Sequence, residues 1–255
     1  MLTPQILYED RNFLAINKPA GLLVHPIKIE GVRLKVKDET TLVDWLIKKY
    51  PEIKKVGDLP AGRQATQIRP GIVHRLDKDT SGVILAARNQ RYFEYLKKLF
   101  QTGQIKKIYL ALVWGKLEPR KGIIEKPIKI KAGSVKRTVW QGKDEKKAVT
   151  EYRVLKYFRY NKSFTIVNKV LYFSLLRVMP KTGRTHQIRV HLASIGHPIV
   201  GDSLYGPKEN SFGLKRQFLH AESLEFSAED GRRIKIEAEP PEDLKRVIDD
   251  LRFKI

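Results

Sequence analysis

Short apolar runs separated by polar turns make up most of the hydrophobic pattern of this chain. Residues 6–8 and 13–16 are apolar and flank a polar stretch, which predicts two short strands joined by a turn. The compact apolar run 83–87 predicts a buried strand. Residues 105–114 and 171–179 are rich in β-branched and aromatic side chains, and they predict two further strands.

Apolar residues also recur at the three- and four-residue spacing that is typical of helices. Four segments show it: 42–46 after the potential cap Thr41, 92–100 before Gly103, 185–195 before Gly196, and 244–251 after Pro240 and Pro241. In the third segment, Ile188, Leu192 and Ile195 are predicted to form one buried stripe. Many strands with scattered helices predict an α+β fold rather than a regular alternation of strand and helix.

Two stretches lie outside this pattern. Residues 51–70 are rich in Pro, Gly, Lys and Arg, so we expect an exposed loop there. The segment 116–137 carries eight basic and two acidic residues, and it predicts a loop or hairpin. Such a segment is either simply solvated or in contact with phosphate groups.

Charge narrows the class of partner. The 255 residues include 50 Lys and Arg against 28 Asp and Glu, a formal net charge of +22. A field of this sign attracts polyanions, so nucleic acid is the leading partner and an anionic membrane surface the second. The sequence has no apolar run of the roughly 20 residues that a spanning helix needs. The first residues lack the pattern of a secretion signal, so we expect a cytoplasmic protein, with a monomer as the default.

The absence of cysteine excludes several chemistries. Disulfides, thiolate nucleophiles, zinc ribbons and iron–sulfur clusters all need it. No dinucleotide fingerprint or P-loop is present either. His186 and His191 are five residues apart, which would place them about 140° apart on a helix and disfavours a metal site.

The run 74–82 is the first that carries chemistry. It places Asp77 between Arg75 and Lys78, beside a Thr-Ser-Gly turn. Nearby cations keep a carboxylate ionised, and this is how a chain would present an acid to a polyanionic substrate. The alternative is an ordinary charged surface loop.

The run 182–206 is the second. It sets Arg184, His186, Gln187 and Arg189 at the start of the predicted helix, where free N–H groups and the helix dipole favour anions. Arg189 would lie at the edge of the buried face and would need a carboxylate partner, for which Asp77 is the candidate. Otherwise it is an ordinary surface arginine.

A third run, 107–115, contains Lys107 and Tyr109 on a predicted strand. Together the three runs closely resemble the RluA-type pseudouridine synthases. The resemblance covers about residues 6–250, and its matching segments follow in the family's order: 17–21, 74–82, Lys107 with Tyr109, 182–206 and 218–221.

The resemblance implies an enzyme that converts uridine in structured RNA, ribosomal or transfer RNA, to pseudouridine without a cofactor or metal. It implies the pseudouridine synthase fold, a mixed and mostly antiparallel sheet flanked by helices with a central RNA-binding cleft. A single catalytic domain over residues 1–255 would leave no room for the N-terminal S4-type RNA-binding domain of many relatives. RNA selection is then expected from the segments 27–70 and 116–150.

Roles for individual residues also follow from the resemblance. Asp77 is the catalytic carboxylate, either attacking the ribose C1′ or starting elimination to a glycal, and Arg189 pairs with it. Tyr109 stacks on the uracil or relays the C5 proton. RNA contacts are expected from the following residues: Arg75, Leu76, Lys107, Arg184, His186, Gln187 and Leu219. Arg75 would fill the gap left by a flipped-out uridine.

Two other classes remain as alternatives. One is a non-catalytic RNA-binding or assembly factor on the same fold. The other is a metal-dependent hydrolase that uses His74, Asp77 and His186.

Overall fold

A computed structural model describes residues 3–25, 40–58, 69–131, 133–134, 136–163, 168–208 and 212–253. Its strands and helices are, in chain order, β1 (Gln5–Glu9), β2 (Phe13–Lys18), α1 (Leu42–Lys49), β3 (Ser81–Ala87), α2 (Gln90–Gln101), β4 (Lys106–Trp114), β5 (Lys121–Glu125), β6 (Ile128–Ile130), β7 (Arg137–Thr138), β8 (Lys143–Lys146), β9 (Val149–Ser163), β10 (Asn168–Pro180), α3 (Gln187–Ser194), β11 (Leu219–Ser227), β12 (Arg233–Glu237) and α4 (Glu242–Phe253). A short 3-10 helix, Pro51–Lys55, follows α1.

The chain divides into two compact units. The first comprises Met1–Ile105 with Ser223–Ala238, and the second comprises Lys106–Glu222 with Glu239–Ile255. Strand β11 therefore supplies its first four residues to the second unit and its last five to the first.

The first unit contains a sheet with helices packed on it. Its strands follow the order β1, β2, β3, β11, with β12 paired to β11. Strands β1, β2 and β3 are antiparallel neighbours, and Phe13 lies opposite Ala87. Every residue of β3 is buried, as the apolar run predicts. Thr41 and Asp44 form the capping box that begins α1.

The second unit contains a sheet in the order β11, β4, β10, β9, β5, in which the pairs from β4 to β5 are antiparallel. The register places Tyr109 opposite Val178 and Phe173 opposite Trp114. Residues from this sheet, α3 and α4 share one apolar core. Beside it, β6, β7 and β8 form a three-stranded sheet, which we call the small sheet (128–146).

The predicted α+β class with a mostly antiparallel sheet is confirmed. The expectation of an exposed loop over 51–70 was wrong at both ends, because apolar side chains there reach the core. Ile53 in the 3-10 helix is fully buried, Val56 is nearly so, and Pro70 at the other end of the range is buried as well. Residues 59–68 lie outside the described residues, as does most of 27–40.

The predicted stripe of Ile188, Leu192 and Ile195 does pack against the core of the second unit, but the expectation that only this face of α3 is buried was wrong. The helix begins at Gln187 rather than Thr185, and the six residues 187–192 are all buried. Because Gln187, Arg189 and His191 find internal polar partners, the helix can bury polar side chains as well as apolar ones. Arg184 and His186 consequently precede the helix instead of forming its first turn.

Candidate active site

In the first unit, Asp77 sits in a tight turn that is anchored on both sides. The Thr80 N–H donates to the Asp77 carbonyl over 3.1 Å. Leu76 before the turn, and Thr80 and Ser81 after it, are at most 5% exposed. Asp77 itself is half-buried, between exposed Arg75 and Lys78. A carboxylate on a turn held in this way has little freedom to move.

A buried lysine braces the same turn. Lys18 is fully buried, and its ammonium donates to the carbonyls of Pro19, Leu22 and Lys78 over 2.8, 2.9 and 2.9 Å. Gly21 adds a backbone bond of 2.9 Å to the same Lys78 carbonyl, from a φ of 84° that favours glycine. Sequence reasoning missed this role, and its one signal was a lysine placed on an otherwise buried strand directly before Pro19.

The neighbours of Asp77 differ in what they do. The His74 Nε2 accepts the Leu85 N–H over 2.8 Å, and its ring stacks on Phe100 with 4.3 Å between centroids. His74 thus fixes the loop to β3. The exposed Arg75 has Nη1 3.4 Å from the His25 Nε2. Within the described ranges no group of three His, Asp or Glu residues is placed to hold a metal ion.

In the second unit, Lys107 and Tyr109 lie on β4, two residues apart and therefore on one face of the strand. Tyr109 is half-buried. Burial, followed by the nearby charge of Lys181, lowers the pKa of Lys107. Its ammonium lies 3.5 Å from the Thr182 carbonyl, at the start of the 182–206 run.

Gln187 fastens this run to β9. Its Oε1 accepts from the Thr182 hydroxyl and the Arg184 N–H over 2.7 and 3.0 Å. Its Nε2 donates to the Val149 carbonyl and the Thr150 hydroxyl over 2.9 and 3.0 Å. Gln187 is 4% exposed and these bonds occupy its amide, so it braces this run, and an RNA contact by Gln187 stays a prediction.

Arg189 forms a buried ion pair inside this unit. Its Nε and Nη2 donate to the two carboxylate oxygens of Asp202 over 2.7 and 2.8 Å. The two side chains are 6% and 0% exposed. The predicted partner, Asp77, belongs to the first unit, and that pairing stays a prediction. A guanidinium has five N–H groups, of which the bond to Asp202 uses two.

Tyr205 completes this cluster. Its ring lies 5.3 Å from the Arg189 guanidinium, and its hydroxyl lies 2.9 Å from the His186 Nδ1. Asp202 and Tyr205 lie inside the 182–206 run, but sequence reasoning assigned them no role. The available signal was weak, since a carboxylate 13 residues after an arginine is not a recognisable spacing.

The remaining predicted contacts divide by exposure. Arg184 is exposed, and its Nε donates to the Lys147 carbonyl over 3.1 Å. Leu76 and Leu219 are 5% and 4% exposed. Each unit therefore holds one part of the predicted site: the acidic turn in the first, and Tyr109 with the Arg189 cluster in the second.

The fold has clear counterparts among solved structures. The structure matches human RNA pseudouridylate synthase domain containing 4 with a TM-score of 0.70 and 26% identity, covering 97% of this chain and 93% of that one. Human RNA pseudouridylate synthase domain containing 1 matches with a TM-score of 0.69 and 23% identity, covering 99% and 96%. The fold is that of pseudouridylate synthase domains.

Sequence comparison extends this to the family. The family model described as RNA pseudouridylate synthase matches residues 12–194, and the chain belongs to this family. An Aquifex aeolicus protein named as an uncharacterized RNA pseudouridine synthase is 41% identical over 81% of this chain and 57% of its own length. A ribosomal large subunit pseudouridine synthase D of Borreliella burgdorferi is 37% identical over 87% of this chain and 60% of its own. The chain thus spans less than two thirds of the length of these two relatives.

Proposed function

We propose that this protein is an RNA pseudouridine synthase that isomerises specific uridines in structured RNA. The observation that carries the proposal is the family match over residues 12–194, a range that contains Asp77, Tyr109 and Arg189. The net charge of +22 supports an RNA substrate. The name of the Borreliella relative favours ribosomal RNA over transfer RNA. We expect the protein to act in the cytoplasm, as a monomer and without a cofactor.

The reaction rearranges one nucleotide without any net change in its atoms. The bond between uracil N1 and ribose C1′ breaks, the base turns over, C5 bonds to C1′, and the proton of C5 moves to solvent while N1 gains one. In this proposal Asp77 acts on the ribose as an ionised carboxylate. Both attack at C1′ and elimination to a glycal need that ionised form. The bracing of its turn by Lys18 supports a fixed direction of attack.

In this proposal Arg189 and Tyr109 act beside the Asp77 carboxylate. A guanidinium can bind one carboxylate along one edge and a second carboxylate along another. The ion pair with Asp202 is therefore compatible with a second ion pair between Arg189 and Asp77. Tyr109 stacks on the uracil or relays the C5 proton. Its ordinary pKa near 10 makes a free tyrosine a poor base at neutral pH, which favours the stacking role.

Access to the uridine requires that it leave its stack. Arg75 is exposed beside the acidic turn, and a flat guanidinium can stack on the bases that remain while its charge meets phosphate. Leu76, Leu219, Lys107, Arg184 and His186 are the further contacts we propose. The buried leucines would serve as apolar walls rather than as surface contacts.

A paired substitution on one loop tests the proposal. Asp77→Asn should abolish tritium release from RNA labelled at uracil C5, with the RNA affinity retained. Asp79→Asn, two residues along the same half-buried turn, is the matched control and should keep both activities. If neither wild type nor either variant released tritium while all of them bound RNA, the protein would be an RNA-binding factor instead. Tritium release that survives in excess chelator would remove the metal-dependent hydrolase alternative.

A further inference from the structure

Tyr205 stands where three parts of the second unit meet. Its hydroxyl accepts the Arg137 N–H of β7 over 2.7 Å, and it lies 2.9 Å from the His186 Nδ1. Its ring lies 5.3 Å from the guanidinium of Arg189. One side chain therefore contacts the small sheet, the residue directly before α3, and the arginine within α3.

The turn that carries Tyr205 is itself tied to Arg189. The Asp202 carboxylate that binds the guanidinium also accepts the N–H groups of Leu204 and Tyr205 over 3.0 and 3.1 Å. The Gly206 N–H donates to the Asp202 carbonyl over 2.8 Å. A Cβ at Gly206 would lie 2.7 Å from that carbonyl oxygen, so the turn is closed tightly. Moving Tyr205 consequently moves the carboxylate that holds Arg189.

Backbone strain marks the other contact of the hydroxyl. His186 has a φ of 56°, a left-handed conformation that is uncommon for residues with a side chain. Its side chain makes no capping bond to the helix that follows it. Such conformations persist when the surroundings impose them, and they cluster at functional sites. The Tyr205 hydroxyl is a contact that holds the His186 ring in place.

The small sheet at the far end of this chain of contacts is strongly basic. The segment 126–147 contains eight basic and two acidic residues. Its Trp140 is 69% exposed, with the Lys126 ammonium 5.5 Å from the ring. An exposed aromatic ring among cations is suited to a base with its phosphate. RNA bound here would exert force on strand β7, whose Arg137 N–H donates to the Tyr205 hydroxyl.

We propose that Tyr205 is a positioning residue that couples the small sheet to Arg189, so that RNA held by the small sheet sets the arginine in its working place. This rests on the proposed function, in which Arg189 acts at the reaction centre. Tyr205 touches no reacting atom in this scheme. It works by holding the Asp202 turn and the His186 backbone in one arrangement.

Tyr205→Phe is the sharpest test, because it keeps the ring over Arg189 and removes only the hydroxyl. Tyr172→Phe is the matched control, since Tyr172 is a 45% exposed tyrosine of the same unit. Two readouts are needed: kcat and KM for tritium release, and the amide exchange of residues 181–195 by mass spectrometry. We expect Tyr205→Phe to lower kcat by about 10- to 100-fold, as a misplaced group does. KM should stay within about twofold, and exchange in 181–195 should be faster.

The outcomes separate the coupling from a general structural role. An unchanged kcat in Tyr205→Phe would overturn the proposal. A fall in kcat accompanied by weaker RNA binding and a lower melting temperature would also overturn it, because the residue would then only support folding. If wild type released no tritium but Tyr205→Phe still accelerated exchange in 181–195, the mechanical link would stand and the enzymatic function would fall.

Discussion

Removing the charge of Asp202 should destabilise the second unit severely. Asp202→Asn keeps the size of the side chain but places an NH₂ group where a carboxylate oxygen now accepts from Arg189. The two side chains are 0% and 6% exposed, so water cannot replace the lost partner. Removing one partner of a buried ion pair costs about 3–5 kcal/mol, and Asp202 accepts two charge-assisted bonds from Arg189. We therefore expect a fall of that size in the free energy of unfolding.

Urea titration of wild type and variants measures this directly. Glu151→Gln is the control, because its pair with Lys181 spans a similar 2.9 Å but is 32% and 56% exposed. An exposed pair contributes at most about 1 kcal/mol. If Asp202→Asn cost no more than Glu151→Gln, the buried-charge reasoning would be refuted.

A double variant separates the pair from the charge. Arg189→Met with Asp202→Asn removes both charges, while the Asn Oδ1 can still accept the N–H groups of Leu204 and Tyr205; replacing both members of a buried pair by uncharged residues is often neutral or stabilising. We expect it to recover most of the stability lost in Asp202→Asn while showing no turnover. A double variant as unstable as the single one would show that the pair itself, rather than an uncompensated charge, holds the fold.

Three further outcomes follow from single residues. Burial lowers the pKa of His191, so below pH 6.5 the unfolded chain binds a proton that the native chain does not. Stability should therefore fall as the pH falls below 6.5, and His191→Gln should flatten this slope in urea titrations; parallel curves would contradict it. Lys18→Met should lower tritium release by about tenfold or more, because the turn of Asp77 loses its brace, whereas Lys78→Met with its exposed side chain should not. Trp140→Ala should weaken RNA binding by about 1–3 kcal/mol in filter binding, and an unchanged Kd would exclude stacking there.

Elements with a strong local signal could be predicted from the sequence. The capped helix after Thr41, the buried strand β3 and the hairpin of β1 and β2 each carry a period or a cap that few other structures share. The residues of the candidate site followed instead from the resemblance of whole runs. Spacing alone would have left Asp77 in a charged loop.

What the sequence could not predict depends on distant polar partners. The apolar residues of α3 predict that only one face of the helix is buried. Gln187 and His191 are nevertheless buried, because the hydroxyl of Thr150 on strand β9 hydrogen-bonds to both. This hydroxyl accepts from Gln187 and can donate to the His191 Nδ1, so each bond depends on the other. The short strands β7 and β8 are almost wholly polar, and nothing in their composition indicates a sheet.

Among the described residues, no helix is long and apolar enough to cross a bilayer. RNA as the partner accounts for the positive charge. Binding should then weaken steeply with salt, with a log–log slope of about −0.7 to −0.9 for each phosphate contacted.

The most direct measurement is the ratio of tritium released to pseudouridine formed, on ribosomal and transfer RNA that lacks pseudouridine and is labelled at uracil C5. The account predicts release by the wild-type protein in a one-to-one ratio with pseudouridine, which chromatography of the digested nucleosides would quantify. It predicts neither product with Asp77→Asn. Undiminished release by Asp77→Asn, or no pseudouridine from the wild-type protein on either RNA, would contradict it.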